Sequence, residues 1–257
     1  MEQYGLIGYP LGHSFSKRYF TEKFLNEGIA ATYELYELPD LAEFGTLLSN
    51  SALSGLNVTI PYKEAIIPFL DELDETAQKV GAVNTIRFLS DGRLKGYNTD
   101  VIGFEQTLKP LLKPYHTNAL VLGTGGASKA VTYVLKRLGI NFKLVSRTKT
   151  AERLCYTDLS QSLIESNLLI VNTTPIGMHP NINVQPPIPY QFLSNRHLLY
   201  DLVYNPLQTK FLSNGKAVGA TTQNGLAMLE AQAEASYKIW KEKVWFYDYN
   251  TIKKQGI

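Results

Sequence analysis

Val121-Leu-Gly-Thr-Gly-Gly-Ala-Ser128 decides how this chain is read. The apolar run Ala119–Leu122 leads into it, a helical stretch to about Leu138 follows, and Asn141–Val145 then reads as another strand. In such a βαβ unit each glycine has a physical task. Gly123 permits the tight turn, and Gly125 lets the backbone approach a pyrophosphate closely. The first helical amides, near Gly126 and Ala127, then face the phosphate charge. A bare glycine motif is weak evidence, and its position between strand and helix is what gives it weight.

Working outward, the end of the next strand selects the cofactor. An NAD site carries Asp or Glu there for the ribose hydroxyls. This chain has Ser146-Arg147-Thr148-Lys149 instead. A guanidinium matches a phosphate bidentately, whereas a carboxylate repels it. The expected cofactor is therefore NADP, with Arg147 on the 2′-phosphate and Ser146, Thr148 and Lys149 assisting. Solvated loop charges are the plainer explanation of such residues, and their register with the glycine turn favours the cofactor.

Alternating apolar runs and helical stretches extend the α/β pattern over the whole chain. Upstream, Tyr4–Gly8, Thr32–Leu38 and Gly55–Ile60 read as strands, with helices near Ser16–Asn26 and Pro39–Leu48. Val83–Leu89 and Arg93–Tyr97 form a hairpin through Asp91-Gly92, and a helix begins at Thr99 or Asp100. Lys109–Asn118, with two prolines, is a connection. Downstream, strands are expected at Leu168–Asn172, His197–Leu202 and Lys216–Gly219. Met178–Pro189 reads as a long surface loop and Gly225–Glu242 as a helix. The fold class is α/β with two domains, residues 1–100 and a Rossmann-type dinucleotide-binding domain over 101–222, separated by a cleft.

Bulk properties narrow the function. The 257 residues carry 25 Lys and Arg against 23 Asp and Glu, a net charge of +2. That balance supplies no electrostatic reason for a nucleic-acid or membrane partner. No apolar run is long enough to span a bilayer, and no secretory signal is visible. The single cysteine, Cys155, excludes an internal disulfide; it sits in a stretch read as helical and is given a packing role. The scattered His13, His116, His179 and His197 match no zinc spacing. A reduced, cytoplasmic, metal-free enzyme is expected, with chemistry from side chains and a cofactor.

The first hundred residues concentrate small polar groups at strand ends. Gly8-Tyr-Pro-Leu-Gly-His-Ser14-Phe-Ser16 follows the first strand, and its hydroxyls suit a carboxylate or a helix cap. In Gly55-Leu-Asn57-Val-Thr59-Ile-Pro61-Tyr-Lys63, strand alternation places Asn57 and Thr59 on one face. Gly81-Ala-Val-Asn84-Thr85 and Tyr97-Asn98-Thr99-Asp100 complete the set. Taken singly, Lys63 reads as a surface residue and Asp100 as a helix N-cap, and spacing alone does not join them.

Together these clusters resemble the signature set of the shikimate dehydrogenase family, in its order and spacing. The similarity continues through Asn172-Thr173-Thr174-Pro175-Ile176-Gly177-Met178, Asp201-Leu-Val-Tyr204-Asn205-Pro206 and Gly225-Leu-Ala-Met228-Leu-Glu-Ala-Gln232, nearly the whole chain. The resemblance implies reversible reduction of 3-dehydroshikimate to shikimate with NADPH, a step toward chorismate and the aromatic amino acids. By it, Ser14 and Ser16 hold the substrate carboxylate, while Asn57, Thr59, Asn84 and Gln232 bind ring hydroxyls. Lys63 and Asp100 are the catalytic pair, and Tyr204 sits near the reacting centre. Thr173 joins the cofactor site and Gly225 lies near the nicotinamide. A last helix crosses back, so that 223–257 completes the first, substrate-binding domain. The aromatic end, Trp240 to Tyr249, is expected to dock there too, in a monomer or homodimer.

The implied chemistry is coherent. Hydride attack on a ketone builds negative charge on oxygen, which must be stabilised and then protonated. Burial and a neighbouring carboxylate act on a lysine in opposite directions. Lys63 therefore stays open as proton donor, or as electrostatic anchor with Asp100 or water relaying the proton. The chain departs from the family pattern after Ser16, where Pro and later a His-Asn pair are usual and Lys17-Arg18-Tyr19-Phe20-Thr21 stands. Ser146 replaces a usual Asn, and His13 is read as loop support. A quinate/shikimate enzyme using NAD, another small-acid dehydrogenase of this architecture and a non-catalytic sensor are the competing readings. Arg147 argues against NAD, and Lys63 with Asp100 against the sensor.

Overall fold

The computed structural model describes residues 1–12, 14–50 and 52–242. His13 and the terminal aromatic segment beyond residue 242 lie outside the described residues. Among the described residues, no helix is long and apolar enough to cross a membrane.

Two six-stranded sheets organise the chain. The first contains β1 (Glu2–Gly8), β2 (Ala31–Glu37), β3 (Leu53–Val58), β4 (Glu72–Leu73), β5 (Thr85–Phe88) and β6 (Leu94–Tyr97), in the order β2-β1-β3-β5-β6-β4. Its helices are α1 (Phe15–Asn26), α2 (Phe44–Asn50) and α3 (Glu75–Val80). β1 runs parallel to both β2 and β3, and β5–β6 is the expected antiparallel hairpin. The chain leaves this sheet through α4 (Asp100–Leu108).

The second sheet contains β7 (Asn118–Leu122), β8 (Asn141–Ser146), β9 (Arg153–Cys155), β10 (Leu169–Asn172), β11 (Leu198–Asp201) and β12 (Thr221–Gln223). Its order is β12-β11-β10-β7-β8-β9, and every pairing is parallel. This is the doubly wound dinucleotide-binding order. Residues 119–122 and 169–171 are fully buried, as parallel strands covered on both faces require. The covering helices are α5 (Gly126–Arg137), α6 (Gln161–Ser166) and α7 (Lys210–Ala217), and α8 (Leu226–Lys241) follows β12.

Three expectations need correction. Lys216–Gly219 is not a strand but the last turn and exit of α7, and the strand is Thr221–Gln223. Thr209 caps that helix by accepting a hydrogen bond from the Leu212 amide, and Phe211, Leu212 and Gly215 are buried at helical spacing. Cys155 lies in a strand, β9, not in a helix. There the Asp158 carboxylate accepts from the Cys155 amide at 2.9 Å and bends the chain into one 3₁₀ turn. The helix expected over Pro39–Leu48 opens with a 3₁₀ turn at Leu41–Glu43 and continues as α2. The short elements α3, α6, α7, β4 and β9 were not foreseen.

α8 ties the two halves together. Met228, near its start, shares a core with Val101 and Phe104 of α4 and Val131 of α5. Ala233 and Trp240, further along, join the core of Tyr4, Phe20 and Tyr33 under the first sheet. Gly103 makes the α4–α8 crossing close, because a Cβ there would stand 2.5 Å from the Met228 carbonyl. Trp240 donates to the Ile86 carbonyl at 3.0 Å, which docks the end of α8 on β5.

Candidate active site

Each sheet has a point where neighbouring strands send the chain in opposite directions, and such points open crevices at the strands' carboxyl ends. In the first sheet that point lies between β1 and β3, and in the second between β7 and β10. Ser14 follows β1, Thr59 and Lys63 follow β3, the glycine turn follows β7, and Thr173 follows β10. The two crevices adjoin. A Cβ built on Gly126 would lie 3.6 Å from Lys63 Cβ. Beside this contact Lys129 of α5 pairs with Glu64 at 2.6 Å.

Lys63 is not a surface residue. Its side chain is 15% exposed, and Nζ donates to Asp100 Oδ2 at 2.6 Å, with Asp100 at 9%. Asp100 is the first residue of α4, whose N-cap is Thr99. The Lys63 carbonyl accepts the Val83 amide at 2.7 Å, which stitches the lysine loop to the segment carrying Asn84. Asn84 Nδ2 lies 3.0 Å from Asp100 Oδ1, 2.9 Å from Thr99 Oγ1 and 3.3 Å from Gln232 Oε1. Four residues far apart in sequence therefore form one hydrogen-bonded group.

Behind it runs a second polar layer that sequence reasoning did not assemble. Asn57 Oδ1 accepts from the Tyr33 hydroxyl at 2.8 Å, and Nδ2 donates to Ser236 Oγ at 2.9 Å. Ser236 Oγ also meets Thr85 Oγ1 at 2.8 Å and Thr99 Oγ1 at 3.0 Å. Among the described residues no buried side-chain nitrogen or oxygen lacks a partner, so the cluster is fully satisfied, the condition under which a buried polar network holds one geometry. The available signals were Ser236 one helical turn after Gln232 and the threonines inside their own motifs. Tyr33 gave none.

The serines diverge. Ser14 caps α1 by accepting from the Lys17 amide at 3.4 Å. Ser16 lies against the Tyr33 hydroxyl, whose pKa burial pushes up. Thr59 stands just past β3, its amide donating to the Ile7 carbonyl at 2.9 Å. Ser14 and Tyr204 line a cavity of about 810 Å³, with Phe15 edge-on to the Tyr204 ring at 5.6 Å. Lys63 and Asp100 are not among that cavity's walls. The expected residues thus form a core of Lys63, Asp100, Asn84 and Gln232, with Asn57 one bond behind, and a separate wall of Ser14 and Tyr204.

On the nucleotide side, Gly123 has φ +108° and no room for a Cβ, which would stand 2.7 Å from Thr173 Oγ1. Thr173 Oγ1 donates to the Leu122 carbonyl at 2.7 Å and fixes the two strand ends. A Cβ on Gly125 would meet nothing within 4 Å, and Gly125 gives α5 no side-chain cap. The first amides of α5, at Gly126 and Ala127, therefore donate to no N-cap side chain, and the helix dipole stands behind them. Ser146 Oγ donates to the Thr148 carbonyl at 2.5 Å and shapes the next loop. Arg147 is exposed, with no ion pair among the described residues, whereas Lys149 is held by Asp158 at 2.9 Å. Uncapped amides and an unpaired guanidinium one strand apart fit a dinucleotide carrying an additional phosphate.

Asp201 was quoted only within a motif, yet it builds the floor between β10 and β11. Its fully buried carboxyl accepts from Asn172 Nδ2 at 2.9 Å, the Val203 amide at 3.0 Å and Thr209 Oγ1 at 2.6 Å. Burial pushes its pKa up to about 6 against those three bonds. The bonds place the chain that leads to Tyr204. Gly225 then donates to the Val203 carbonyl at 3.1 Å, against Leu202.

Residues 6–86 match the model of the shikimate dehydrogenase substrate binding domain. The chain is 38% identical over 263 residues to the NADP(+) shikimate dehydrogenase of Methanosphaera stadtmanae, covering 95% of this chain and 93% of that protein. It superposes with a TM-score of 0.83 and 32% identity on Thermus thermophilus shikimate 5-dehydrogenase in complex with NADP(H) and shikimate, covering 94% of each chain. The quinate dehydrogenase of Corynebacterium glutamicum in complex with NAD gives a TM-score of 0.82 at 28% identity over 93% of each chain.

Proposed function

The chain belongs to the shikimate dehydrogenase family, and we propose that Lys63 and Asp100 carry its chemistry. The protein is an NADP-dependent oxidoreductase that interconverts 3-dehydroshikimate and shikimate. The observation that carries the assignment of the pair is its geometry: a 2.6 Å ion pair, shielded from solvent, standing against the first residue of the nucleotide-binding helix.

The glycine turn, Thr173, Arg147 and Gly225 would hold NADPH, which would supply the hydride. As the new C–H bond forms at the ring carbonyl carbon, the C=O π pair moves onto oxygen. Lys63 donates a hydrogen bond to that oxygen and then its proton, completing the hydroxyl. Asp100, fixed by Asn84, aims the ammonium and holds its charge in place while the oxygen accumulates its own. In the oxidative direction Lys63 takes the hydroxyl proton back. Asn57, Thr59, Asn84 and Gln232 hold the ring hydroxyls, Ser14 and Ser16 hold the carboxylate, and Tyr204 stands on the wall that Ser14 shares. Donors and acceptors in this density reject substrates lacking a hydroxyl.

We divide the chain into a substrate domain, 1–100 completed by the C-terminal segment 223–257, and a nucleotide domain, 101–222. We further assign small molecules as its only ligands, with no nucleic acid or membrane partner, in a cytoplasmic monomer or homodimer. The net charge of +2 supports the lack of a nucleic-acid or membrane partner.

Initial rates with shikimate or quinate under NADP⁺ or NAD⁺, in the native protein and Arg147→Ala, test the reading. The native protein is expected to favour shikimate and NADP⁺. Arg147→Ala raises KM for NADP⁺ by roughly ten- to a hundredfold, the range for losing a charge-assisted hydrogen bond, and leaves NAD⁺ unchanged. A native preference for quinate or NAD⁺ overturns the specificity, and absence of turnover with every pair overturns the enzyme assignment.

A further inference from the structure

Tyr33 lies on β2, at the edge of the first sheet, and its side chain reaches past β1 to β3. In that register Tyr33 stands opposite Tyr4. Leu6, two residues along β1 on the same face, stands opposite Asn57. Tyr4, Leu6 and Tyr33 share one apolar core with Phe20, and the Tyr33 ring stacks on Phe20 at 4.6 Å. A phenylalanine would pack there as well. The hydroxyl is the one part of the side chain that packing does not explain.

A buried hydroxyl must find partners. The Tyr33 hydroxyl donates to Asn57 Oδ1 at 2.8 Å, and Ser16 lies against it. The direction of the bond to Asn57 is fixed from the other end of the amide. Asn57 Nδ2 lies 3.1 Å from the Asn84 carbonyl, which can only accept, so Oδ1 is the atom that faces Tyr33. Nδ2 also donates to Ser236 Oγ at 2.9 Å. The amide is thereby held at both ends. Without the tyrosine hydroxyl, Oδ1 loses a partner beside an apolar core, and the amide is free to turn. Burial pushes the Tyr33 pKa up, so the phenol stays protonated through the neutral range.

Resting on the reading that Asn57 holds a ring hydroxyl, we infer that Tyr33 is a positioning residue for the substrate, its hydroxyl fixing the Asn57 amide for that contact. Recognition of one ring hydroxyl therefore depends on a residue of the edge strand that acts through Asn57.

The test is Tyr33→Phe, which keeps the ring and removes one oxygen, beside the native protein and Asn57→Ala. Calorimetry measures the binding of shikimate and of its two analogues that each lack one non-reacting ring hydroxyl, with thermal melts on the same samples. Tyr33→Phe is expected to fold and to weaken shikimate binding by roughly three- to thirtyfold, the order of one buried hydrogen bond, with kcat nearly unchanged. The loss vanishes on one deoxy analogue and persists on the other, and Asn57→Ala singles out the same analogue. The Tyr33→Phe pattern decides the proposal by itself. A tyrosine needed for packing alone would weaken all three compounds equally, and that result, or an unchanged affinity for shikimate, overturns it. If Asn57→Ala is selective for one hydroxyl and Tyr33→Phe is not, Asn57 keeps its role and Tyr33 loses its own. If neither variant distinguishes the compounds, the reading of Asn57 fails and the proposal with it.

Discussion

A hydrogen bond accepted by a ring nitrogen decides which proton a buried histidine can carry. His197 Nδ1 accepts from the Ser194 amide at 3.0 Å, so Nε2 holds the hydrogen and donates to the Ile164 carbonyl at 3.1 Å. His116 repeats the arrangement, with the Lys113 amide at 3.0 Å and the Arg196 carbonyl at 3.1 Å. A second proton would break the first bond and charge a buried ring, and burial lowers both pKa values from 6.5. Each ring therefore contributes stability that is full above pH 6.5 and is lost as pH falls through the lowered folded value. Asp201 acts in the other sense. Raised from 3.8 to about 6, its contribution is full below 3.8 and is lost as pH rises through about 6. The raw stability curve mixes these opposing slopes, so the informative quantity is a difference. The urea midpoint of the native protein is expected to approach that of a His116→Gln, His197→Gln variant as pH falls from about 7 to about 5. A gap independent of pH would contradict the neutral, buried state of both rings.

Elements carry the site through the places where they touch. α8 reaches Asn84 through Gln232 only because Gly103 lets it lie directly on α4. Gly103→Ala sets a methyl group against the Met228 backbone and is expected to lower stability by about 1–3 kcal/mol. It also raises KM for shikimate by displacing Gln232, as thermal melts and kinetics on one preparation would register. A destabilised protein with unchanged KM would separate α8 docking from substrate binding. At this scale the limits of the sequence are physical. β7, α5 and β8 were legible because a buried strand, a glycine turn and an amphipathic helix each have their own periodicity. Lys216–Gly219 reads as a strand because four residues are too short to show a helical period, and Thr209, the cap of α7, lies outside that window. β9 was missed because a three-residue edge strand needs little apolar sequence. The residues of the site were legible as motifs through their resemblance to a family. Tyr33 and Ser236 stayed hidden, since their partners lie 24 and 179 residues away.

At the scale of the whole molecule, function depends on two sheets presenting their crevices to each other. The loop after β3 of the first sheet supplies Lys63, and α4 adds Asp100. The second supplies the glycine turn, and Gly126 stands against the Lys63 side chain. In the proposed role Lys63 touches both halves of the reaction, whereas a lysine that merely paired with Asp100 would matter for stability alone. Single-turnover reduction of 3-dehydroshikimate by NADPH, in the native protein and in Lys63→Ala, distinguishes the two most directly, with shikimate and NADP⁺ affinities and thermal melts measured on the same samples. The account predicts a folded variant that still binds both ligands and reduces the ketone more slowly by roughly a hundred- to ten-thousandfold, the range for losing a positioned acid–base group. A folded variant that retains the native rate would contradict it.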